Sequence, residues 1–176
     1  MITNNDRIIL INENITTLKV DAIVNAANSS LMGGGGVDGA IHRAAGSELA
    51  KYCSTLNGCN TGDAKISPGF NLPVKYIIHT VGPVWYNGTK NEGHLLSSCY
   101  RKSLQLAAEH HCSSIAFPCI STGAYRFPFE DACIIALNTL DKFLQTEKLP
   151  EKIFLVAFGE NDFTRYSRIY SNYFFK

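Results

Sequence analysis

The sequence predicts an α/β fold in three layers, a sheet sandwiched between helices (an α/β/α sandwich). Five short runs are nearly continuous in apolar residues rather than alternating, the pattern of strands buried on both faces. Four longer stretches space their apolar residues along one helical face. The two kinds of segment alternate along the chain, as they do where helices cover both sides of a sheet.

The elements follow in order. Arg7 to Asn12 (RIILIN) and Ala22 to Ala26 (AIVNA) read as strands. A glycine-rich segment comes next, and then helical spacing from about Asp38 to Cys53. Ala64 to Ser67 adds a short strand, and Tyr76 to Val81 (YIIHTV) a longer one that breaks at Gly82-Pro83. A second helix covers about Asn91 to His110, with Leu95, Cys99 and Leu106 near one stripe and Leu96, Tyr100, Leu104 and Ala107 beside it. Ser114 to Pro118 (SIAFP) is a strand. A third helix covers about Phe129 to Thr146, with Ala132, Ile135, Ala136, Leu140, Phe143 and Leu144 at helical spacing. Lys152 to Phe158 (KIFLVAF) is the last strand, and roughly Asp162 to Tyr173 the last helix. No repeat, low-complexity tract or linker interrupts the series, so one domain over residues 1–176 is expected.

Composition narrows the function classes. A chain of 176 residues is long enough for one buried core and short for two. Its 45% hydrophobic and 18% charged residues exclude disorder as a description of the whole. Sixteen basic against fifteen acidic side chains leave a net charge of +1, so no bulk field draws nucleic acid or an anionic membrane. An anionic ligand must therefore be held locally. Met1 to Arg7 shows no basic stretch followed by an apolar run, and no run approaches the roughly 20 residues that span a bilayer. Neither a signal peptide nor a membrane partner is expected. The six cysteines include no C-x-x-C pair, so reduced, buried thiols are expected rather than a zinc ribbon, and the cytoplasm is the expected location.

Three loops follow strand ends, where ligands bind in folds of this class. The first runs from Asn25 through Ala26, Ala27, Asn28 and Ser29 to Gly33-Gly34-Gly35-Gly36-Val37-Asp38, with His42 four residues on. Four glycines between a strand and a helix let backbone amides approach an anion without Lys or Arg, and no G-K-[ST] ending makes this a Walker loop. Asp38 suits a helix N-cap, but a carboxylate beside an anion loop also suits a base that orients or deprotonates water. His42 shares its helical face, and spacing alone reads it as a partly buried structural histidine. The second loop, Cys119 to Pro128, offers Ser121, Thr122, Gly123, Ala124 and Tyr125 to a phosphate, or is an ordinary capped turn. In the third, His79 to Trp85, the histidine reads as a core residue and the tryptophan as packing rather than ligand stacking.

Together these segments resemble the macrodomain family, in its MacroD-type branch, with bacterial O-acetyl-ADP-ribose deacetylases the nearest likeness. The resemblance runs through VDAIVNAANSSLMGGGGVDGAIHRAAG (Val20 to Gly46), Thr61 to Trp85, Asn91 to Leu104 and SIAFPCISTGAY (Ser114 to Tyr125). It implies a mixed sheet and an ADP-ribose cleft at the sheet's crest. It implies hydrolysis of esters on the distal ribose: O-acetyl-ADP-ribose, or ADP-ribosyl groups on Asp and Glu side chains. No metal or cofactor is implied. Asn28 would contact the distal ribose, Asp38 would position or activate the attacking water, and His42 would hydrogen-bond behind it. Gly33, Gly34, Gly35, Gly36 and Val37 would wrap the ribose and α-phosphate. Ser121, Thr122, Gly123, Ala124 and Tyr125 would cradle the pyrophosphate, with Tyr125 over the distal ribose. Phe158 would pack on the adenosine, and Asn14, Ile15 and Ala26 complete the implied contacts.

The chain departs from the family pattern at several positions. Glu13-Asn14-Ile15-Thr16 stands where Gly-Asp-Ile-Thr is common, so the adenine amino group would meet an uncharged carbonyl oxygen on Asn14. Arg126 replaces the glycine after the loop tyrosine. If that site needs φ > 0, the loop must differ locally; alternatively the guanidinium reaches a phosphate or an acidic target, or it is a solvated surface residue. Phe70 and Phe127 stand where tyrosines are common. The functions ranked by these residues are an ADP-ribose ester hydrolase, then a non-catalytic ADP-ribose reader, then a regulator contacting RNA or a ribonuclease. Balanced charge supplies no basic stripe for the last.

Overall fold

The apolar runs become the strands of one sheet in the computed structural model, which describes residues 4–175. The strands are β1 (Ile8–Asn12), β2 (Ala22–Ala26), β3 (Ala64–Pro68), β4 (Tyr76–Thr80), β5 (Ser114–Pro118) and β6 (Lys152–Ala157). Their order across the sheet is β1-β6-β5-β2-β4-β3. All neighbours are parallel except β3, which runs antiparallel to β4 at one edge, so the sheet is mixed. The extreme N-terminal residues weighed above for a leader, and Lys176, lie outside the described residues.

The helices are α1 (Asn4–Arg7), α2 (Gly36–Ala45), α3 (Ser47–Ser54), α4 (Glu92–Glu109), α5 (Phe129–Leu144) and α6 (Glu160–Phe174). Strand alternation sends side chains to two separate cores. Val24, Ile78, Ile115, Phe117, Ile153 and Leu155 pack under α4, α5 and α6. Ile23, Ile77, Ala116 and Val156 pack under α2 and α3. The fold is the expected three-layer sandwich. Among the described residues, no helix is long and apolar enough to cross a membrane.

The connections create the cleft. After β2 the chain turns toward β4 and β3, and after β5 it turns the other way, toward β6. The loops leaving two adjacent strands therefore diverge, which opens a crevice above their carboxyl ends.

Several boundaries differ from the sequence reading. The helix expected over Asp38 to Cys53 is two, α2 and α3, because Gly46 takes φ 91° and ends the first, its N–H bonded to His42 O at 3.1 Å. Arg7 belongs to α1 rather than to the first strand. Its guanidinium donates to the carbonyls of Leu144, Glu147, Lys148 and Pro150 at 2.7–3.2 Å, a clamp across the end of α5. On α4 the buried stripe is the second one predicted, Leu96, Tyr100, Leu104 and Ala107, joined by Cys99 from the first, while Leu95 and Leu106 lie at its margin. A 3₁₀ turn at Ile15–Thr17 went unread because a single turn leaves no periodicity. All six cysteines are free, five of them buried.

Candidate active site

β2 carries the first site residues. Its last residues alternate, so Asn25 points to the α2–α3 face, and Asn25 is fully buried. The loop that follows is held by its own side chains. Asn28 Nδ2 donates to Gly33 O at 2.9 Å, and Asn28 Oδ1 accepts from the Ser30 N–H and hydroxyl at 3.2 and 2.6 Å. Gly33 (φ 93°) and Gly36 (φ 58°) adopt the left-handed region, which glycine enters without strain. Gly35 is extended and caps α2, so Asp38 is the third residue of that helix and not its N-cap. That corrects the capping alternative: with glycine at the cap, the Asp38 carboxylate is released for another partner.

The partner is Asn25. Its Nδ2 donates to Asp38 Oδ1 at 2.8 Å, and Asp38 is only 4% exposed. His42 lies one turn along α2, with Nε2 3.4 Å from the same oxygen but without hydrogen-bond geometry. The second oxygen, Oδ2, faces the glycine loop: a Cβ on Gly34 would lie 3.1 Å from it and 3.3 Å from Asn28 Nδ2. Asp38 and Asn28 thus flank one glycine. Any side chain at Gly34 would crowd both.

The loop after β5 lies across the crevice. Ser121 takes φ 65° and accepts from Phe127 N–H at 2.9 Å, while Gly123 accepts from Arg126 N–H at 3.0 Å. Thr122 Oγ1 donates to Cys119 O at 2.9 Å. These bonds curl the loop and leave the amides of Gly123, Ala124 and Tyr125 uncommitted to it. The loop is also tied to the third one: Trp85 N–H donates to Tyr125 O at 2.8 Å, and the Trp85 and Phe127 rings pack with centroids 4.8 Å apart. Trp85 is therefore a packing residue, as expected. A Cβ on Gly82 would collide with Ser121 Oγ, so the third loop must carry glycine where it passes the second.

Arg126 takes φ 61°. The position does require the left-handed region, and arginine adopts it rather than altering the loop. The residue is exposed.

Phe158 directly follows β6 and is 79% exposed, an aromatic face presented to solvent at the crest. Beyond β1, Ile15 is buried and Asn14 is exposed. Asn14 Oδ1 accepts from the Thr16 N–H at 3.0 Å and the Thr16 hydroxyl at 2.7 Å. This corrects the expectation that the oxygen is on offer to a ligand: both lone pairs are taken, and the amide nitrogen is left to point outward. Ala26, half-buried, ends β2 beside these loops. Two concavities, about 410 Å³ between β1 and α6 and 390 Å³ near Trp85, Glu92 and Ile134, include neither Asp38 nor the glycine loop.

Sequence reasoning did not assign Asn25 a role, and it read His79 as core. His79 is indeed fully buried, and burial pushes its pKa down to about 3, with His42 adding to the effect. It nevertheless contacts Asn25, since the two are direct partners in the β2–β4 register. The available signal was a polar residue at the same place in two otherwise apolar runs, AIVNA and YIIHT.

The Macro domain family profile matches residues 24–136. A macro domain-containing protein of Methanosarcina mazei is 58% identical over 158 residues, covering 90% of this chain and 84% of its own. The human ADP-ribose glycohydrolase MACROD2 is 50% identical over 173 residues, 96% of this chain and 40% of that protein. The Trypanosoma brucei macrodomain, solved in complex with ADP-ribose, superposes with a TM-score of 0.87 at 42% identity, covering 93% of this chain and 68% of that one.

Proposed function

Because the chain belongs to the macro domain family, we propose that it hydrolyses esters of ADP-ribose, either O-acetyl-ADP-ribose or mono-ADP-ribose on Asp and Glu side chains. The name of the human relative and the ligand of the trypanosomal structure support ADP-ribose as the bound group and hydrolysis as the chemistry.

One observation carries the catalytic part of this reading. Asp38 is a buried carboxylate that does not cap its helix and, among the described residues, meets no lysine or arginine, only the His42 ring at 3.4 Å, and only one of its oxygens is held by Asn25. Burying a carboxylate with no lysine or arginine beside it is costly, and a module that only reads ADP-ribose needs the glycine loop but not that carboxylate. Oδ2, turned toward Gly34, is the oxygen free to hold a water.

The remaining parts follow from chemistry. The diphosphate is held by the amides at the start of α2 and those of Gly123 to Tyr125, which suits a chain of net charge +1. Phe158 offers its ring to the adenine. The water's oxygen forms a bond to the acyl carbon, the bond from that carbon to the ribose oxygen breaks, and the ribose oxygen takes up a proton. The products are a carboxylic acid and ADP-ribose. Holding the water against a fixed carbonyl supplies at most about 7–11 kcal/mol, and a base adds about 10²–10⁴-fold.

The test is turnover of O-acetyl-ADP-ribose and of a glutamate-linked mono-ADP-ribosyl peptide by the wild type and Asp38→Ala, with ADP-ribose binding measured calorimetrically on both. The expected outcome is retained binding and a rate lowered by about 10²–10⁴-fold in the variant. A wild type that binds ADP-ribose and turns over neither substrate is a reader.

A further inference from the structure

A file of buried polar groups leads from Asp38 into the sheet. Asn25 Nδ2 lies 2.8 Å from Asp38 Oδ1 and 3.1 Å from His79 Nδ1. His79 Nε2 lies 2.9 Å from Ser67 Oγ, and that hydroxyl donates to Pro68 O at 3.1 Å. Asn25, His79 and Ser67 are each at most 1% exposed.

Donor counting permits one arrangement. An ionised carboxylate only accepts, so Asn25 must present its NH₂ to Asp38. The same nitrogen faces His79, and its second proton goes there. His79 Nδ1 must then be the bare nitrogen, and the ring proton sits on Nε2. Ser67 spends its own proton on Pro68 O, so it is free to accept that one, and Cys53 Sγ, 3.8 Å from the same nitrogen, is a second acceptor for it. Every bond in the file donates toward a fixed acceptor.

The orientation of Asn25 rests on few contacts. Its Oδ1 is buried and has no hydrogen-bond partner among the described residues. Apart from Asp38 itself, only His79 holds the amide the right way round. Without that acceptor, the bond to Asp38 alone would hold the amide, leaving Asn25 free to swing and to carry the carboxylate with it. His42 does not substitute, since its contact with Asp38 lacks hydrogen-bond geometry.

We propose that His79 is a positioning residue: acting through Asn25, it sets the orientation of the Asp38 carboxylate, and Ser67 fixes the tautomer that lets it do so. The catalytic consequence rests on the hydrolase reading above, while the file itself does not. Neutral His79, with its pKa held near 3 by burial, keeps this arrangement across the physiological range.

The experiment has two arms. In the kinetic arm, His79→Leu removes the acceptor while keeping an apolar-compatible volume, and His79→Asn returns an acceptor oxygen close to the place of Nδ1. His79→Leu is expected to lower kcat about 10–100-fold, the range for losing a group that orients a functional residue, with KM and ADP-ribose affinity within about twofold of wild type. His79→Asn is expected to recover most of that loss, and Ser67→Ala to lose a smaller part of kcat. Thermal unfolding of each variant separates this from general destabilisation. Unchanged kcat in a folded His79→Leu, or no recovery in His79→Asn, overturns the proposal. The second arm is ¹⁵N NMR of the wild-type histidines. A bare Nδ1 and protonated Nε2 on His79 are expected, with the Asn25 amide protons slow to exchange in wild type and fast in His79→Leu. A protonated Nδ1 overturns the proposal even if the protein turns over no ester. Absence of turnover in wild type with the expected tautomer overturns only the hydrolase reading.

Discussion

The two faces of the sheet are built for different tasks. Under α4, α5 and α6 the core is large and centred on Phe117, Leu96, Leu104 and Ile115, and the polar residues buried on that side, Thr80, Glu92 and Ser103, hydrogen-bond to nearby backbone. Under α2 and α3 it is smaller, and beside Ile23, Ile41 and Leu49 it buries Asn25, Asp38, Ser67 and His79. Apolar area supplies most of the stabilisation, and polar groups contribute little net stability once removed from water. The first face therefore holds the sheet together, and the second gives up packing to hold a carboxylate in place at the crest.

The largest test of that division is on the apolar face. Phe117 is fully buried and packs on Tyr100 with ring centroids 5.0 Å apart. Phe117→Ala is expected to cost about 3–5 kcal/mol of stability, measured by denaturant unfolding, while activity per folded molecule stays near that of wild type. A fall in kcat matching the fall in stability would show that the two faces are not separable.

The polar face should show itself in acid. His79 has an ordinary pKa of 6.5 when unfolded and about 3 in the fold. Below 6.5 the unfolded chain takes up a proton that the folded chain refuses. Stability from this group is thus complete above 6.5 and declines as the pH falls toward 3, by up to about 1.4 kcal/mol per unit. His42, with ring centroids 6.4 Å apart, and Cys53, with Sγ 3.8 Å from Nε2, are the titratable groups beside the ring. In His79→Leu the decline between pH 6 and 4 is expected to be shallower than in wild type, read from urea midpoints at each pH. Equal slopes would place the proton uptake elsewhere.

Smaller effects lie at the crest. Arg126 at φ 61° carries about 1–2 kcal/mol of left-handed strain, and glycine in its place forfeits about 0.5–1 kcal/mol of chain entropy. Arg126→Gly is therefore expected to stabilise by about 0–1.5 kcal/mol, with ADP-ribose affinity unchanged if the guanidinium is only solvated. A loss of affinity by calorimetry would make Arg126 a phosphate contact. Asn14→Asp keeps one oxygen on Thr16 and frees a second, charged one, where Asn14 now turns out a nitrogen. ADP-ribose should bind more tightly, by a factor of a few, since a charged acceptor is worth about 1 kcal/mol more than a neutral one. Unchanged affinity would remove Asn14 from the adenine contact.

Much of this was legible along the chain. Ala22–Ala26 and Ser114–Pro118 were readable to the residue, because strands buried on both faces leave unbroken apolar runs. The glycine loop, Asp38 and the Ser121–Tyr125 segment were readable because their spacing is local. The break at Gly46 was missed because periodicity on both sides of it is helical, and only the backbone turn separates α2 from α3. The position of Asp38 within its helix was misjudged because capping depends on where Gly35 takes an extended conformation.

The sequence by itself determined the alternation of strands and helices, the residue types at the strand ends, and the amide-rich loops that a near-neutral chain uses for an anion. These are properties of neighbours in the chain, set by periodicity and local conformational preference. Only the tertiary structure decided which strand ends meet, and so which loops face each other across the crevice. It placed Asn25 opposite His79, and both beside Asp38 and Ser67, segments as much as 54 residues apart. Sheet register is a pairing between distant segments that burial of both faces selects, and a polar residue in an apolar run acquires its partner only when that pairing is made.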